Sequence, residues 1–197
     1  MLSTVDPDEL RRALETLLDP GAFLSPHGLR SLSKRYSTPY QVPGVPGATI
    51  DYEPAGSTTA MYGGNSNWRG PVWLPVNYLV IRSLQQYHEF LGAGYTVEYP
   101  TGSGLQRTLL EVAADLAERL VSIWLPDRAG RRPLYGGVGL LQSDPAWQGL
   151  LWFNEYFEGD DGAGLGAMHQ TGWTALVIDL LLAPPGSRTE EPVELTR

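Results

Sequence analysis

The sequence predicts an all-α protein in which several helices are joined by long loops. Apolar residues recur at helical spacing in separate segments, and polar residues suited to capping precede those segments. The 23 glycines and 16 prolines gather between the segments, where they favour turns over regular structure. These observations predict about five helices connected by elaborate loops.

The first helix is predicted over residues 7–19. Asp6 can cap it, Pro7 stands at the first helical position, and Glu9 completes a capping box. Its apolar stripe consists of Leu10, Leu14, Leu17 and Leu18. The following residues, 20–70, show little periodicity, and a connection of that length is typically functional or contains structure that the pattern misses.

The next two helices are predicted over residues 71–90 and 105–124. The apolar spacing of the second runs through Trp73, Val76, Leu79, Val80, Leu84, Tyr87 and Phe90, and that of the third through Leu109, Val112, Leu116, Leu120 and Trp124. The Gly-Ser-Gly run at 102–104 lacks the Gly-Lys-Ser/Thr ending of a nucleotide-binding loop. We therefore expect Thr101 or Ser103 to cap the third helix rather than to bind phosphate.

A fourth helix is predicted over residues 145–157, capped by Ser143 or Asp144, and a fifth over residues 169–182. The remaining residues, 183–197, are polar and contain proline, so we expect a disordered tail.

Charge and composition disfavour several classes of protein. The net charge of −8 opposes binding to nucleic acid or to an anionic membrane. The chain has no cysteine and its three histidines are scattered, so no zinc site and no cofactor is expected. Asp160 and Asp161 lack the ligand spacing of a calcium loop, which favours a solvated turn. The absence of a signal-peptide pattern and of a membrane-spanning run predicts a cytoplasmic protein.

Six tryptophans and ten tyrosines, many beside Gly, Asn or Gln, suit a surface that stacks on sugar rings. The alternative is that they are core residues with a polar tip. Glu155 stands among aromatic residues just before a glycine-rich loop, and glycosidic bond cleavage needs such carboxylates. It is a candidate general base, although a glutamate in this position is commonly a solvated side chain. Glu158 competes for the role, but its neighbours predict a more exposed position.

Two long motifs carry a resemblance to a known family. The segment GGNSNWRGPVWLPVNYL at 63–79 and the segment NEYFEGDDGAGLGAMHQTGW at 154–173 resemble the C-terminal part of the catalytic domain of glycoside hydrolase family 63. This is the family of processing α-glucosidase I, also called mannosyl-oligosaccharide glucosidase, and of bacterial relatives. The resemblance covers about residues 18–182 and implies a partial (α/α)6 toroid, with inverting hydrolysis of α-glucosides or related glycosides.

The resemblance also implies roles for individual residues. Glu155 occupies the place of the general base, which accepts a proton from the attacking water. The substrate-binding positions would be Trp68, Arg69, Gly70, His169, Gln170 and Trp173. Two alternatives stay open: Arg69 can be a structural ion pair that holds its loop, and Trp73 and Trp173 can be core residues.

The chain departs from the family in two ways. Its five predicted helices are too few for a complete toroid, and no aspartate stands in the context of the family's general acid. We therefore interpret residues 1–182 as the C-terminal portion of a catalytic domain that lacks the acid. Carbohydrate is the expected ligand, and the expected partner is the missing N-terminal part or a second copy. A non-catalytic carbohydrate-binding or helical interaction module derived from the same fold is the alternative.

Overall fold

The computed structural model describes residues 3–59, 67–182 and 185–186, and this part of the chain is mainly helical. The helices are α1 (Pro7–Leu17), α2 (Leu74–Leu91), α3 (Leu109–Ser122), α4 (Gly139–Ser143), α5 (Thr171–Thr174) and α6 (Leu176–Leu182). Residues 63–66 of the first motif and most of the predicted tail lie outside the described residues.

Short antiparallel strand pairs lie in the segments between the helices. Their strands are β1 (Leu24–Ser25) with β2 (Gly28–Leu29), β3 (Tyr40–Gln41) with β4 (Thr49–Ile50), β5 (Thr96–Glu98) with β6 (Gln106–Thr108), and β7 (Tyr156–Phe157) with β8 (Gly164–Leu165). Each is a two-stranded pair, so the strands form no common sheet in the described part of the chain. They shape the loops that the glycines and prolines predict.

Helix α1 forms where its capping residues predict. Asp6 Oδ1 accepts hydrogen bonds from the amides of Asp8 (2.9 Å) and Glu9 (2.8 Å), and Glu9 Oε2 accepts one from the Asp6 amide (2.9 Å). The capping box is thus complete. Leu10 and Leu14 are buried and anchor the helix on the core.

Helices α2 and α3 form the centre of the molecule. They pack against each other, and α3 also contacts α6 and β2. The apolar face of α3 is buried at Leu109, Val112, Ala113, Leu116, Ala117 and Leu120. Among the described residues, no helix is long and apolar enough to span a membrane.

The third helix begins later than predicted. Residues 106–108 form β6, and Thr108 rather than Thr101 or Ser103 is the N-cap, with Glu111 completing the capping box. Pairing with β5 supplies backbone hydrogen bonds that the helical spacing of this segment does not reveal.

The predicted helix over 145–157 is wrong. Ser143 ends α4, and Asp144 Oδ1 accepts the Ala146 amide (2.8 Å) in a local turn instead of capping a helix. Residues 156–157 are extended and belong to β7. Backbone pairing with a distant segment overrides the predicted helix, and local sequence preference does not reveal such pairing.

The predicted helix over 169–182 is interrupted. It consists of α5 and α6 with a break at Ala175, and it starts at Thr171 because His169 adopts a left-handed backbone conformation with φ of 62°.

Backbone bridges join three distant segments beside α2. Val72 pairs antiparallel with Arg30 on one side and with Phe157 on the other. The Val72 amide donates to the Phe157 carbonyl (2.8 Å), and the Phe157 amide donates to the Val72 carbonyl (3.0 Å). The Ser31 amide donates to the Pro71 carbonyl (3.0 Å). The two sequence motifs are therefore fastened to each other through their backbones.

Asn77 ties the start of α2 to β2. Its buried side chain accepts from the Leu29 amide (2.7 Å) and donates to the carbonyls of Leu29 (3.0 Å) and Trp73 (2.9 Å). Asn77→Ala leaves buried backbone groups unpaired and should lower the free energy of unfolding by about 3 kcal/mol. Urea unfolding measures this. Gln86→Ala, at an exposed position of the same helix, is the control, and a change in Asn77→Ala as small as the control's would contradict the assignment.

Candidate functional site

Asn67 organises the backbone of the Asn-Trp-Arg-Gly motif. Its buried side chain donates to the carbonyls of Glu53 (2.6 Å) and Ala55 (2.7 Å), and it accepts from the Arg69 amide (3.0 Å). Its own carbonyl accepts from Trp73 Nε1 (2.9 Å). Asn67 thus connects the loop before the motif to the tryptophan at the start of α2. It is a positioning residue that sequence reasoning missed, although it lies inside the quoted motif.

Four aromatic residues meet beside this backbone, and we call them the tryptophan cluster: Trp68, Trp73, Tyr156 and Trp173. Trp68 stacks on Trp73 with ring centroids 3.9 Å apart, and Trp73 stacks on Tyr156 at 4.9 Å. Trp173 meets Trp73 edge-on at 5.9 Å. Trp73 and Tyr156 are buried, whereas Trp68 is 40% and Trp173 is 38% exposed. The cluster therefore has two buried rings and, above them, an aromatic surface open to a ligand.

Glu155 lies immediately before β7, not at the end of a helix as predicted. Its amide donates to the Ala167 carbonyl (2.8 Å), and its carboxylate accepts from the Ala167 amide (3.2 Å). A Cβ at Gly166 would lie 2.6 Å from Glu155 Oε2 and 2.7 Å from Tyr156 Cε1. The glycine therefore lets the loop backbone pass directly against the half-buried carboxylate. This close approach restricts the position of the carboxylate.

The His-Gln-Thr-Gly-Trp motif is attached to the same strand segment. The Gln170 amide donates to the Phe153 carbonyl (2.8 Å), and the buried Thr174 hydroxyl donates to the Asn154 carbonyl (2.5 Å). His169 is exposed. These bonds fix α5 to the two residues that precede Glu155, so the second motif forms one unit. Sequence reasoning missed Thr174 and Asn154.

Arg69 forms an ion pair with Glu53, which is the alternative that the sequence left open. The guanidinium is almost entirely buried and also donates to the hydroxyls of Ser57 (3.2 Å) and Thr59 (3.0 Å). Burial raises the pKa of the Glu53 carboxyl, but hydrogen bonds from Thr58 and the Arg69 charge outweigh it and hold that pKa below its usual range. The pair fixes the loop on which Trp68 stands.

Gly70 allows close packing behind the motif. Its φ is 147°, and a Cβ there would lie 2.6 Å from Tyr52 Cε2. A Cβ at Gly159 would lie 2.4 Å from the Gly70 carbonyl oxygen. A larger residue at Gly159 would push the two motifs apart, and one at Gly70 would displace the loop that carries Tyr52.

Glu158 organises the acidic turn that follows β7. Its carboxylate accepts from the amides of Asp160 (2.6 Å) and Asp161 (2.5 Å). Burial, together with the neighbouring Asp161 and Asp160 charges, raises its pKa above the usual range of a glutamate. Glu158 is half-buried, as Glu155 is, so the expected difference in exposure is not observed. Its contacts assign it to the turn.

Asp160 anchors the turn instead of being solvated. It accepts from Arg30 (2.7 Å), Lys34 (3.0 Å) and the Tyr52 hydroxyl (3.2 Å), and Arg30 also donates to that hydroxyl (2.9 Å). Burial raises the pKa of Asp160, but the hydrogen bonds and charges of Arg30 and Lys34 hold it below the usual range. Within the described ranges, no group of three His, Cys, Asp or Glu side chains is placed to hold a metal ion.

The sequence matches a known family over most of its length. Residues 1–174 match the profile described as the mannosylglycerate hydrolase MGH1-like glycoside hydrolase domain. The chain belongs to this glycoside hydrolase family. The resemblance to α-glucosidases predicted from the two motifs is confirmed by relatives that carry such names.

Three relatives illustrate the extent of the similarity. The uncharacterized protein YMR196W of Saccharomyces cerevisiae is 44% identical over 90% of this chain and 17% of its own length. The mannosyl-oligosaccharide glucosidase of the same yeast is 26% identical over 88% and 15%. The α-glucosidase 2 of Arabidopsis thaliana is 23% identical over 88% and 16%. The chain thus spans about a sixth of the length of these relatives.

Replacing Asp160 by asparagine should destabilise the protein in a pH-dependent way. The substitution leaves the buried Arg30 without its anion, at a cost of about 2 kcal/mol after allowing for the 35% exposure of the Asp160 side chain. The wild-type carboxyl has a lowered folded pKa, so its contribution is complete above the unfolded value of about 3.9 and is lost as the pH falls through the folded value.

Urea unfolding at pH 7 and at pH 3 measures the effect as the difference between variant and wild type. The difference should be largest at pH 7 and shrink at pH 3. Asp161→Asn, at the exposed neighbouring position, should change little at either pH. An equal loss in both variants, or one independent of pH, would show that the Asp160 ion pair does not anchor the turn.

Proposed function

We propose that this chain provides the general base and part of the sugar-binding surface of an inverting glycoside hydrolase. Glu155, deprotonated, accepts a proton from a water molecule that attacks the anomeric carbon. A residue outside these 197 positions protonates the leaving group, because no aspartate of this chain stands in the context of the family's acid. The observation that carries the proposal is that one backbone ladder fastens the Trp68 motif to the Glu155 motif.

The tryptophan cluster gives the sugar a defined place. Trp68 lies flat on Trp73 and keeps 40% of its surface exposed, which suits stacking on the apolar face of a pyranose. Tyr156 underlies the same stack and directly follows Glu155 in the chain. In this proposal, a sugar ring stacked on Trp68 faces the segment that carries Glu155, immediately before β7.

The remaining predicted site residues have complementary roles. His169 is exposed and Gln170 is partly exposed, so both side chains can donate hydrogen bonds to sugar hydroxyl groups. Trp173 forms the edge of the aromatic surface. Arg69 and Gly70 act on the sugar indirectly, because they fix the backbone that carries Trp68.

The relatives' names support a choice between two substrate classes. Two of the three relatives described above are named glucosidases, which favours an α-glucoside. The family description names mannosylglycerate, so mannosylglycerate is the second candidate. Both substrates contain a pyranose ring with an apolar face, and the aromatic surface suits either ring.

We further propose that the chain is the C-terminal portion of an (α/α)6 toroid and binds the remaining portion. Its relatives are far longer than the region that it matches. Large apolar side chains are exposed on α2 and α6, at Val76, Leu79, Ile178, Leu181 and Leu182. Such side chains on two helices that contact each other are typical of a surface that another element covers.

A chimeric protein tests the role of Glu155 as general base. The matched region of the yeast relative YMR196W is replaced by residues 3–182 of this chain, and hydrolysis of α-glucosides and of mannosylglycerate is followed by proton NMR. Glu155→Gln should reduce hydrolysis by about 10²–10⁴-fold, the usual contribution of a general base, and leave sugar affinity unchanged. The chimera that retains Glu155 should first release the sugar with inverted anomeric configuration.

Glu158→Gln is the matched control, since it changes a neighbouring carboxylate in the same way. It should retain hydrolysis, and thermal melting should confirm that both variants fold. Comparable activity in Glu155→Gln and wild type would refute the catalytic role. A chimera that binds sugar but hydrolyses neither substrate would favour the alternative, a carbohydrate-binding module derived from the hydrolase fold.

Trp68→Ala should weaken binding of an α-glucoside by about tenfold, because the exposed stacking ring is lost. Isothermal titration calorimetry measures the affinity. Trp147→Ala removes an indole of similar exposure, 41%, that is not in the tryptophan cluster and should have no effect. Equal losses in both variants would argue against a specific sugar surface.

A further inference from the structure

A second aromatic groove lies between the end of α1, the loop that follows it and the start of β3. Its cavity volume is about 520 Å³, within the range of roughly 300–1,000 Å³ typical of small-molecule sites. Three rings line it, those of Phe23, Tyr36 and Tyr40. The two tyrosine rings stand perpendicular with centroids 6.0 Å apart, and Tyr40 is 45% exposed.

The groove is lined mainly by apolar surface, and its charge is balanced. Its guanidinium, that of Arg35, is paired with Asp19 at 2.5 Å, so the groove offers no uncompensated cation to a phosphate or carboxylate. Four hydroxyl groups in the lining have no hydrogen-bond partner among the residues that the structure describes; they belong to Thr16, Tyr36, Thr38 and Tyr40. One exposed aromatic ring, that of Tyr40, next to unengaged hydroxyl groups suits a neutral polyhydroxylated ligand.

We infer that this groove is a second, non-catalytic saccharide site that binds a neutral oligosaccharide of α-linked glucose. The Tyr40 ring stacks on a pyranose, and the free hydroxyls exchange hydrogen bonds with sugar hydroxyls. The inference takes its ligand class from the proposed function, but it does not depend on Glu155 or on the tryptophan cluster.

The groove shares its framework with the candidate active site. The Tyr52 amide donates to the Tyr36 carbonyl (2.9 Å), and a Cβ at Gly70 would touch the Tyr52 ring. Lys34, which begins the turn bearing Tyr36, pairs with Asp160. A saccharide in the groove therefore binds a part of the chain that also supports the Trp68 motif.

Calorimetry with maltotriose and maltoheptaose, using the purified full chain, separates the two sites. Wild type should show two binding events for maltoheptaose. Tyr40→Ala should weaken the event at the groove about tenfold, Trp68→Ala should leave that event in place, and the double variant should lose both. Tyr40→Phe, which keeps the ring and loses one hydroxyl, should retain most of the affinity. Trp147→Ala is the control for loss of a remote exposed ring, and thermal melting confirms that each variant folds.

The possible outcomes distinguish this inference from the proposed function. Loss confined to Tyr40→Ala supports the groove and argues against the tryptophan cluster as a sugar surface. Loss confined to Trp68→Ala, with Tyr40→Ala equal to wild type, overturns the groove and leaves the proposed function intact. An unchanged affinity in both variants, or no binding by wild type, also overturns the groove.

Discussion

The backbone ladder through Val72 is the constraint on which the candidate site depends. It pairs one extended residue with Arg30 and with Phe157 at the same time. Since Val72 directly precedes Trp73 and α2, and Phe157 follows Glu155 and Tyr156, one set of hydrogen bonds sets the relative position of the aromatic stack and the carboxylate. Local contacts complete the arrangement. Trp73 Nε1 donates to the Asn67 carbonyl, and the backbone at Gly166 lies directly against Glu155.

Buried charge reinforces this ladder from both sides. Arg30 is itself one of the bridged residues and pairs through its side chain with Asp160, in the turn that follows β7. Arg69 pairs with Glu53 in the loop that precedes the Asn-Trp-Arg-Gly motif. Each guanidinium is almost fully buried, so loss of either anion would leave an uncompensated charge. The candidate site therefore has polar supports that are sensitive to substitution far from the tryptophan cluster.

The sequence predicted elements whose stabilisation is local. The capping box of Asp6 and Glu9 and the apolar face of α3 depend on residues three or four positions apart, and both are present. The helix over 145–157 failed because Phe157 obtains its hydrogen bonds from Val72, 85 positions away. The same cause explains the site. Motif resemblance predicted Glu155 and Trp68 as site residues. It could not show that Asp160 meets Arg30 or that Arg69 meets Glu53, since these pairs arise only when distant loops fold together.

The central claim is that the aromatic stack and Glu155 serve one bound sugar. A crystal structure of the chain with a non-hydrolysable α-glucoside, at a concentration near its dissociation constant, tests this most directly. We expect a pyranose ring on the exposed face of Trp68, with its anomeric carbon separated from the Glu155 carboxylate by a single water molecule. A sugar bound only elsewhere, or one on Trp68 whose anomeric carbon faces away from Glu155, would contradict the account.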